Sequence, residues 1–391
     1  MGRLTSEATV LVTGARAPAA LDLARAFRAA GHPVHMADCT PCWTARLSTA
    51  PSAVHAYASP VHRPEAFAAD IDRLLDTLRP ALVVPACEEV FHLSALAGRR
   101  SALAASLFAP PFETLRILHS KRLFARACTD EGLPVPETWA LTSLGDLAPL
   151  PPARELVLKP EYSRFGVHAL IRPEREELAR LPVSSRRPWV AQRHVAGTEM
   201  SFYAVARAGR LTAFCAYGST WRERGGASYA FAPPAARAVA ALRDLAVTLA
   251  ARIVRDGQFA CDVIVDAGDQ PWLLECNPRT TSGVHLFRRA AALARAFYDD
   301  ASRVEPSDPP FLYLGPAFGL FGLPAALRSG GLAEWGRLRR EGHDVIGAPG
   351  DRLPLVGALV DSAAFGMNAL VSGRSLAAAM TADIEWNGAG A

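Results

Sequence analysis

The N-terminal third of the chain alternates between short apolar runs and segments of helical periodicity, and this alternation constrains the fold strongly. In ATVLVTGARAPAALDLARAFRAAGHPVHMAD, the run Val10–Val12 precedes a glycine turn and a helical segment, and a second run, Val34–Met36, ends at Asp38. A further unit has helical spacing over Phe67–Leu78, followed by the strand pattern ALVVPACEE. Strands that alternate with helices predict a parallel, doubly wound α/β sheet.

The turn after the first predicted strand, TGARAPAA, bears on which ligand this sheet binds. It lacks the second and third glycines that allow a backbone to approach a pyrophosphate. A Rossmann-like domain without its own cofactor is therefore favoured over a nicotinamide site in which Asp38 holds a ribose. Glu88 and Glu89 follow the carboxyl end of a predicted strand, where open α/β sheets bind ligands. They are candidates for binding a substrate ammonium group, and a solvated surface pair is the alternative.

Composition excludes several classes of function. A chain of 391 residues is long enough for two or three domains. The net charge of +4 is spread along the chain without a basic run, which argues against nucleic-acid binding. Neither a secretory signal nor a transmembrane segment is expected, because no charged N-terminal segment precedes an apolar stretch and no apolar run reaches about 18 residues. Seven scattered cysteines are typical of reduced thiols and predict a cytoplasmic location.

Lysine occurs at only two positions, Lys121 and Lys159, although lysine and arginine together number 42. Lys121 lies near the start of a single amphipathic helix predicted from about Phe112 to Glu131. Lys159 ends the strand ELVLKP and precedes the polar loop EYSRFG. Lysine is a compact point charge with three rotatable donors, whereas arginine is a broad planar fork. A narrow slot around a phosphate oxygen favours lysine, so both lysines are candidate phosphate ligands, and chance retention is the alternative.

The segment WVAQRHVAGTEMSFYAVA (189–206) predicts two strands separated by a short polar break. An exposed break leaves main-chain N–H and C=O groups that can contact an adenine edge. Glu199 begins the second strand, where its carboxylate is placed to accept hydrogen bonds from ribose hydroxyls.

The segment GQFACDVIVDAGDQPWLLECNPRTTSG (257–283) predicts a hairpin in which apolar residues flank Asp262, Glu275 and Asn277. Carboxylates within such strands are costly to bury unless a cation contacts them. Glu275 and Asn277 are two residues apart and therefore share one face of their strand. Three oxygen ligands in this arrangement predict a Mg²⁺ site that bridges nucleotide phosphates.

Taken in chain order, the two lysines, QRHVAGTE, Asp262 and LLECNPR resemble the ATP-grasp superfamily, which includes D-alanine–D-alanine ligase, biotin carboxylase and the carbamoyl phosphate synthase large subunit. The resemblance extends over roughly residues 8–290. It implies an α/β fold with a two-lobed α+β ATP-grasp domain. The implied divisions are a Rossmann-like pre-ATP-grasp domain (1–112), an ATP-grasp small lobe (113–190), a large lobe with the metal site (191–302), and a linker with a mostly helical C-terminal segment (303–391).

The resemblance also implies a role for each candidate site residue. The nucleotide ligands would be Lys121 and Lys159 at the α and β phosphates, Gln192 with the hinge residues Arg193, His194 and Val195 at adenine, and Glu199 at the ribose. Two Mg²⁺ ions, with Mn²⁺ as an alternative metal, would bind Asp262, Glu275 and Asn277. Arg279 would face the transferred phosphoryl group, and it would share catalysis with Lys159 and Arg224. The remaining substrate candidates are Arg222 and Arg224 in the loop STWRERGGASYA, Ser282 and Gly283, and the Glu88–Glu89 pair.

The activity implied by the resemblance is that of an ATP-dependent ligase. Such an enzyme phosphorylates a small-molecule carboxylate to an acyl phosphate, couples it to an amine and releases ADP and phosphate. An amino acid is the first candidate substrate. An ATP-grasp carboxylase or a kinase-like phosphotransferase is the alternative. A non-catalytic nucleotide-binding protein is less favoured, because the expected phosphate and Mg²⁺ residues are all retained. The C-terminal segment carries no catalytic constellation, and it is predicted to cover the ligase domain or form a homodimer face, with a membrane surface as a third alternative.

Overall fold

The computed structural model describes residues 7–163, 169–222, 228–287, 290–306 and 310–388. The N-terminal domain consists of β1 (Val10–Thr13), α1 (Pro18–Ala29), β2 (Val34–Asp38), α2 (Trp43–Arg46), β3 (Ala53–Ala56), α3 (Pro64–Leu78), β4 (Leu82–Pro85), α4 (Glu89–Ala97) and α5 (Ser101–Ser106). Its strands form a parallel sheet in the order β3-β2-β1-β4. The predicted doubly wound α/β domain is confirmed. The apolar runs form β1, β2 and β4 because each side chain of β1 and β4 is buried between helices.

The helix predicted from about Phe112 to Glu131 is wrong as a single element. The structure has α6 (Phe112–His119) and α7 (Lys121–Asp130), which are separated at Ser120. The Ser120 hydroxyl accepts a hydrogen bond from the Leu123 N–H at 3.1 Å and so caps the second helix. The same hydroxyl donates to the buried carboxylate of Glu161, a contact distant in sequence. The break places Lys121 in the first turn of α7.

The small lobe contains β5 (Thr138–Leu141), β6 (Leu156–Pro160), β7 (Leu170–Ile171), α8 (Arg175–Leu178) and β8 (Trp189–Arg193). Its strands form an antiparallel sheet in the order β5-β8-β6-β7. One face of this sheet is covered by an apolar cluster that includes Leu156, Leu158 and Trp189. The predicted lobe boundary at 190/191 lies within β8.

The large lobe is built from β9 (Thr198–Arg207), β10 (Arg210–Arg222), β11 (Ser228–Ala232), α9 (Ala236–Leu249), β12 (Gly257–Val265), β13 (Pro271–Asn277) and α10 (Ala290–Arg295). The two strands predicted in 189–206 and the hairpin predicted in 257–283 are confirmed. The lobe shares one apolar cluster with the N-terminal domain, in which the rings of Phe27 and Phe297 lie 5.3 Å apart. This shared core fixes the N-terminal sheet against the strands that carry the candidate metal ligands.

The C-terminal region contains β14 (Leu312–Tyr313), α11 (Gly315–Ala317), α12 (Leu323–Ser329), α13 (Leu332–Glu341), β15 (His343–Asp344), α14 (Pro354–Ser372) and α15 (Leu376–Ala379). It is mostly helical, but β14 and β15 extend the large-lobe sheet, whose order is β13-β12-β9-β10-β11-β14-β15. Val304, within the predicted linker, forms an isolated bridge to Ala213. The region is therefore part of the large-lobe sheet as well as a helical addition to it.

The last described residues cover the carboxyl edge of the N-terminal sheet. Buried Arg16 donates to Asp38 at 2.5 Å and to Asp383 at 2.6 Å, two carboxylates 345 positions apart in the sequence. The Trp386 ring stacks on Phe91 with centroids 5.2 Å apart. Asp38 therefore has an arginine partner, and the C-terminal segment lies where a parallel sheet of this kind binds ligands.

Helix α14 is long and apolar enough to cross a membrane on length and composition alone, with a mean hydropathy of 1.5. It is the one helix of this kind in the described part of the chain, and a single such helix is weak evidence for a membrane protein.

Candidate active site

The two lysines lie next to the same carboxylate. The Lys121 ammonium is 3.2 Å from Glu275 Oε2, and the Lys159 ammonium is 3.9 Å from the same oxygen. Each lysine also donates to a carbonyl, Lys121 to that of Ser163 at 3.2 Å and Lys159 to that of Leu274 at 3.3 Å. Both side chains are buried. Burial lowers the pKa of Lys159 to about 8, although the carboxylate of Glu275 favours the charged form.

Asp262 and Glu275 face each other across the β12–β13 hairpin, in direct register. Burial, followed by the charge of Glu275, raises the pKa of Asp262 to about 7. Burial by itself would raise the pKa of Glu275 too, but the ammonium groups of Lys121 and Lys159 outweigh it and lower that pKa to about 2. Ser201 donates to Asp262 at 2.7 Å and holds it in place.

These residues fit a hard divalent cation. Two carboxylates and the Asn277 amide are oxygen donors, which Mg²⁺ prefers, and Mg²⁺ commonly takes its other ligands from phosphates and water. The negative charge of Glu275 disfavours a second negative charge on Asp262, and a bound cation would reduce this repulsion. The described residues contain no cluster of three or more His, Cys, Asp and Glu side chains able to hold a metal. Nucleotide oxygens would therefore be needed to complete the coordination.

Arg279 extends from the end of the same hairpin toward the N-terminal domain. It donates to Asn277 Oδ1 at 3.4 Å and to the Thr280 carbonyl at 3.2 Å, and its Nε lies 4.0 Å from Glu88 Oε1. The site thus joins a cation from the large lobe with a buried carboxylate from the end of the N-terminal sheet.

A buried glutamine that the sequence interpretation missed links these two regions. The Gln258 amide donates to the Pro85 carbonyl at 2.6 Å, and its oxygen accepts from Thr280 at 2.6 Å and from Tyr203 at 2.8 Å. Pro85 is three residues before Glu88, and Thr280 follows Arg279. An uncharged polar residue within the apolar run of β12 was the available signal, since buried amides require partners.

Glu89 is a correction to the predicted substrate pair. Its Oε1 accepts from the Thr13 hydroxyl at 2.7 Å and from the N–H groups of Ala86 and Cys87 at 3.1 and 3.2 Å. The side chain is fully buried and joins β1 to the turn before α4. Its position therefore indicates a structural role, whereas Glu88 faces Arg279.

Gly283 likewise has a packing role. A Cβ atom there would lie 2.4 Å from Cβ of Tyr203 and 2.9 Å from the Tyr217 ring, so only glycine fits. Its carbonyl accepts a hydrogen bond from the buried Cys215 thiol at 3.1 Å. Ser282 lies beside it at the start of a short 3₁₀ turn, half-buried.

The predicted adenine hinge follows β8 at the lobe junction. The Arg193 N–H donates to the Glu137 carbonyl at 2.9 Å and the His194 N–H to the Glu155 carbonyl at 2.8 Å. Those two N–H groups are therefore used within the small lobe.

The other predicted nucleotide residues lie on the flanking strands. Gln192 is buried and donates to the Thr138 hydroxyl at 3.0 Å. The Glu199 carboxylate forms an ion pair with Arg222 at 2.7 Å. Arg222, a predicted substrate residue, therefore lies beside the predicted ribose ligand. Arg224 lies outside the described residues.

A large cavity borders this cluster at Ser163, whose carbonyl accepts the hydrogen bond from Lys121. It measures about 920 Å³ and separates the small lobe from the C-terminal segment, with Tyr162, Arg187, Trp189 and Thr381 among its lining residues. It contains none of the predicted site residues.

Comparison with known proteins identifies one domain within the chain. The model of the ATP-grasp domain matches residues 118–283, the stretch that carries both lysines, the hinge and the hairpin. The match identifies this segment as an ATP-grasp domain. No curated protein matches the chain.

Solved structures with the ATP-grasp fold are similar over most of the chain. The N5-carboxyaminoimidazole synthetase of Staphylococcus aureus is 14% identical, covers 83% of this chain and 87% of its own, and has a TM-score of 0.64. The L-amino acid ligase of Bacillus licheniformis is 15% identical, covers 76% and 75%, and has a TM-score of 0.58. The biotin carboxylase domain of the Hydrogenobacter thermophilus 2-oxoglutarate carboxylase, a dimer with MgADP and bicarbonate, is 14% identical, covers 76% and 70%, and has a TM-score of 0.59. At these identities the similarity establishes the fold alone.

Proposed function

We propose that the protein is an ATP-dependent carboxylate–amine ligase that activates a small-molecule carboxylate as an acyl phosphate. The observation that carries this proposal is the convergence of both lysines on Glu275, at 3.2 and 3.9 Å, beside Asp262 and within the segment that matches the ATP-grasp domain. This chain has 40 arginines among its 42 basic residues, and it uses lysine only at these two buried positions.

The reaction needs positioned cations more than a protein nucleophile. A carboxylate oxygen of the substrate attacks the γ-phosphorus of ATP, and the bond to the β–γ bridging oxygen breaks to release ADP. Lys121 and Lys159 are placed to bind the phosphate oxygens, which would replace the carboxylate of Glu275 as their partner. Mg²⁺, held by Asp262, Glu275 and Asn277, would neutralise charge on the phosphates. The amine nitrogen then attacks the acyl carbon, phosphate leaves and the nitrogen loses a proton.

The pairing of Arg279 with Glu88 supports an amino-acid substrate. The two side chains have opposite charges, lie 4.0 Å apart and come from different domains. An α-amino acid carries an ammonium and a carboxylate on one carbon, so it matches such a pair. In this proposal Arg279 binds the carboxylate being activated and Glu88 binds the ammonium group.

A carboxylase is the second candidate, because two of the structural neighbours are named for carboxylation reactions. In that case bicarbonate would be the phosphorylated carboxylate. The proposed amino-acid ligase differs in needing no bicarbonate, and the two activities are therefore separable in one assay.

The test is an ADP-release screen that crosses carboxylates with amines, with bicarbonate present or absent, and identifies products by mass. We expect ADP release only when an amino acid and an amine acceptor are both present, together with a product heavier than either. Release that requires bicarbonate would support the carboxylase. Release that is unchanged by every substrate pair would contradict both candidates.

A matched pair of variants identifies the site in the same assay. Glu275→Gln should stop ADP release, because the two lysines and the metal lose their shared carboxylate. Glu113→Gln makes the same chemical change at an exposed position on α6 and should leave the rate unchanged.

A further inference from the structure

Helix α14 exposes a continuous apolar surface that the described protein does not cover. Its outward side chains are 44–81% exposed, whereas large apolar side chains elsewhere in the fold are mostly buried. We call this surface the α14 face and define it by Leu353, Val356, Leu359, Val360, Met367, Leu370 and Val371. Contiguous exposed apolar patches on soluble proteins mark interaction sites.

The inner side of α14 is fixed to the N-terminal domain, so the face cannot turn inward. Asp361 accepts hydrogen bonds from the N–H groups of Trp43 and Thr44 at 2.9 and 2.8 Å, and from the Thr44 hydroxyl at 2.7 Å. At Gly357 a Cβ atom would lie 2.4 Å from the backbone of Trp43, so the helix and α2 are in close contact. Exposure of the α14 face is therefore built into the fold.

We propose that the α14 face binds the same face of a second copy of this chain. Charge is the first reason. Between Leu353 and Gly373 the only charged side chain is Asp361, which is turned toward α2. A partner surface must then be apolar and uncharged over the same length. The α14 face meets that requirement itself, and a two-fold axis places it against its own copy without opposing like charges along its length.

The centre of the face allows two helices to approach closely. Ala363, Ala364 and Gly366 lie between the larger side chains, and all three are small. A Cβ atom added at Gly366 would meet nothing within 4 Å in the single chain. Small residues at a helix crossing reduce the distance between the two backbones and let the flanking large side chains interdigitate.

The available area suits a dimer. A 19-residue helix is about 28 Å long. Burying one large aliphatic side chain removes roughly 60–120 Å² from water, so the seven side chains of the face supply on the order of 400 Å² per copy at their observed exposure. A standard interface buries about 800 Å² per partner, so the α14 face supplies roughly half of that area. An interface of this size is typical of weak association, so we expect a dimer that forms only as the protein concentration rises.

A lipid surface is a poorer match. Helices that lie on membranes carry a polar face rich in lysine and arginine opposite the apolar one. The side of α14 opposite its exposed face packs on α2 instead, and the neighbouring basic residues are single arginines at each end, Arg352 and Arg374.

The proposal is tested by sedimentation velocity of the full chain over a series of increasing protein concentrations. The wild type should shift from monomer to dimer. Leu359→Glu and Leu370→Glu change exposed positions, so they should keep the fold and weaken the dimer at least tenfold. Gly366→Leu adds a side chain into space that is open in the monomer, so a weaker dimer in that variant would report directly on close helix contact.

Ile171→Glu is the matched control, since Ile171 is an equally exposed aliphatic residue on the small lobe. It should leave the dimer unchanged. A wild type that stays monomeric throughout the series would overturn the proposal, and so would a dimer that tolerates all three α14 variants while circular dichroism shows them folded. A monomer that pellets with vesicles of phosphatidylcholine and phosphatidylglycerol would replace the second copy by lipid. Activity is not part of the readout, so failure here is distinct from failure of the ligase assignment.

Discussion

Replacing Lys159 by arginine keeps the positive charge and changes only its shape. The Lys159 ammonium lies between β6 and the hairpin, 3.3 Å from the Leu274 carbonyl and 3.9 Å from Glu275. Its side chain is only 9% exposed, so little solvent space is available for a larger group. A guanidinium is planar and wider than an ammonium, and it cannot point one nitrogen between two oxygens.

The expected loss in kcat/KM follows from the confinement of the Lys159 side chain. A planar guanidinium in the same slot must displace β13, the loop after Lys159 or the phosphate. A displacement of about 1 Å in a reacting geometry costs on the order of a hundredfold in rate. We predict that Lys159→Arg lowers kcat/KM for ATP at least tenfold, which corresponds to about 1.4 kcal/mol of transition-state stabilisation.

The matched control is Arg122→Lys, the reverse exchange one residue beyond Lys121. Arg122 is 42% exposed and lies 3.5 Å from Glu161. Lysine keeps the positive charge beside the Glu161 carboxylate, and the exposed side of Arg122 leaves room for the exchange, so it should be nearly silent. The assay is steady-state ADP release at varied ATP concentration, with thermal melting to verify folding. Equal effects of the two exchanges would refute the argument that the slot requires lysine.

The remaining predictions concern the metal site, the nucleotide, pH and the buried amide. Glu275→Gln should abolish ADP formation while the melting curve stays cooperative, and undiminished turnover would remove the Mg²⁺ assignment. Mg-ATP should raise the melting temperature and NAD should hardly change it, because only ligands of the native state stabilise it. A larger shift with NAD would favour a nicotinamide site in the N-terminal domain. The pKa of Lys159 is lowered to about 8 from 10.5, so the unfolded state binds more protons between these values and this group makes stability rise with pH across that window. Affinity for ADP should fall above about pH 8 as Lys159 loses its proton, and a flat titration would contradict the pKa shift. Gln258→Leu leaves three buried polar partners unpaired, at a cost of about 1–3 kcal/mol each, so it should lower the melting temperature. It should also raise KM for the amino acid more than KM for ATP. Equal changes in both KM values would indicate a general loss of stability.

Much of the fold could be predicted from local patterns. The strands β1, β2 and β4 lie in short apolar runs, and the β12–β13 hairpin has a polar turn between two apolar runs. Burial on both faces produces such runs in any parallel sheet, so they indicate a strand without reference to distant residues. The short elements α2 and β3 lacked a comparable signal and were not predicted.

The break at Ser120 shows why helix boundaries were less predictable. The spacing of apolar residues continues from α6 into α7, and the local signal for a break is a single residue, Ser120, of a type favoured as a helix N-cap. Ser120 contacts Glu161, which lies on the next lobe, and this contact forms only once the chain has folded. The position of Lys121 at the start of α7 therefore depends on a residue 40 positions away in the sequence.

The candidate site, too, could be predicted from the sequence only in part. The candidate residues could be identified from the sequence, because two lysines in an arginine-rich chain and carboxylates inside apolar strands are chemically unusual. The sequence did not indicate which of Glu88 and Glu89 faces the site, because the side chains of adjacent residues in a turn differ only in the direction in which they point. The structure turns Glu89 toward Thr13 and Glu88 toward Arg279.

The sequence by itself determined the chemical groups of this protein and the local elements that carry them, because periodicity and side-chain chemistry are properties of neighbouring residues. Tertiary structure alone decided which groups meet. It brought Lys121 and Lys159 to Glu275 and joined Arg16 to Asp383 across nearly the whole chain. It also left one side of α14 exposed. These outcomes depend on how helices and sheets pack, and packing contacts form between residues whose separation along the chain carries no periodic signal.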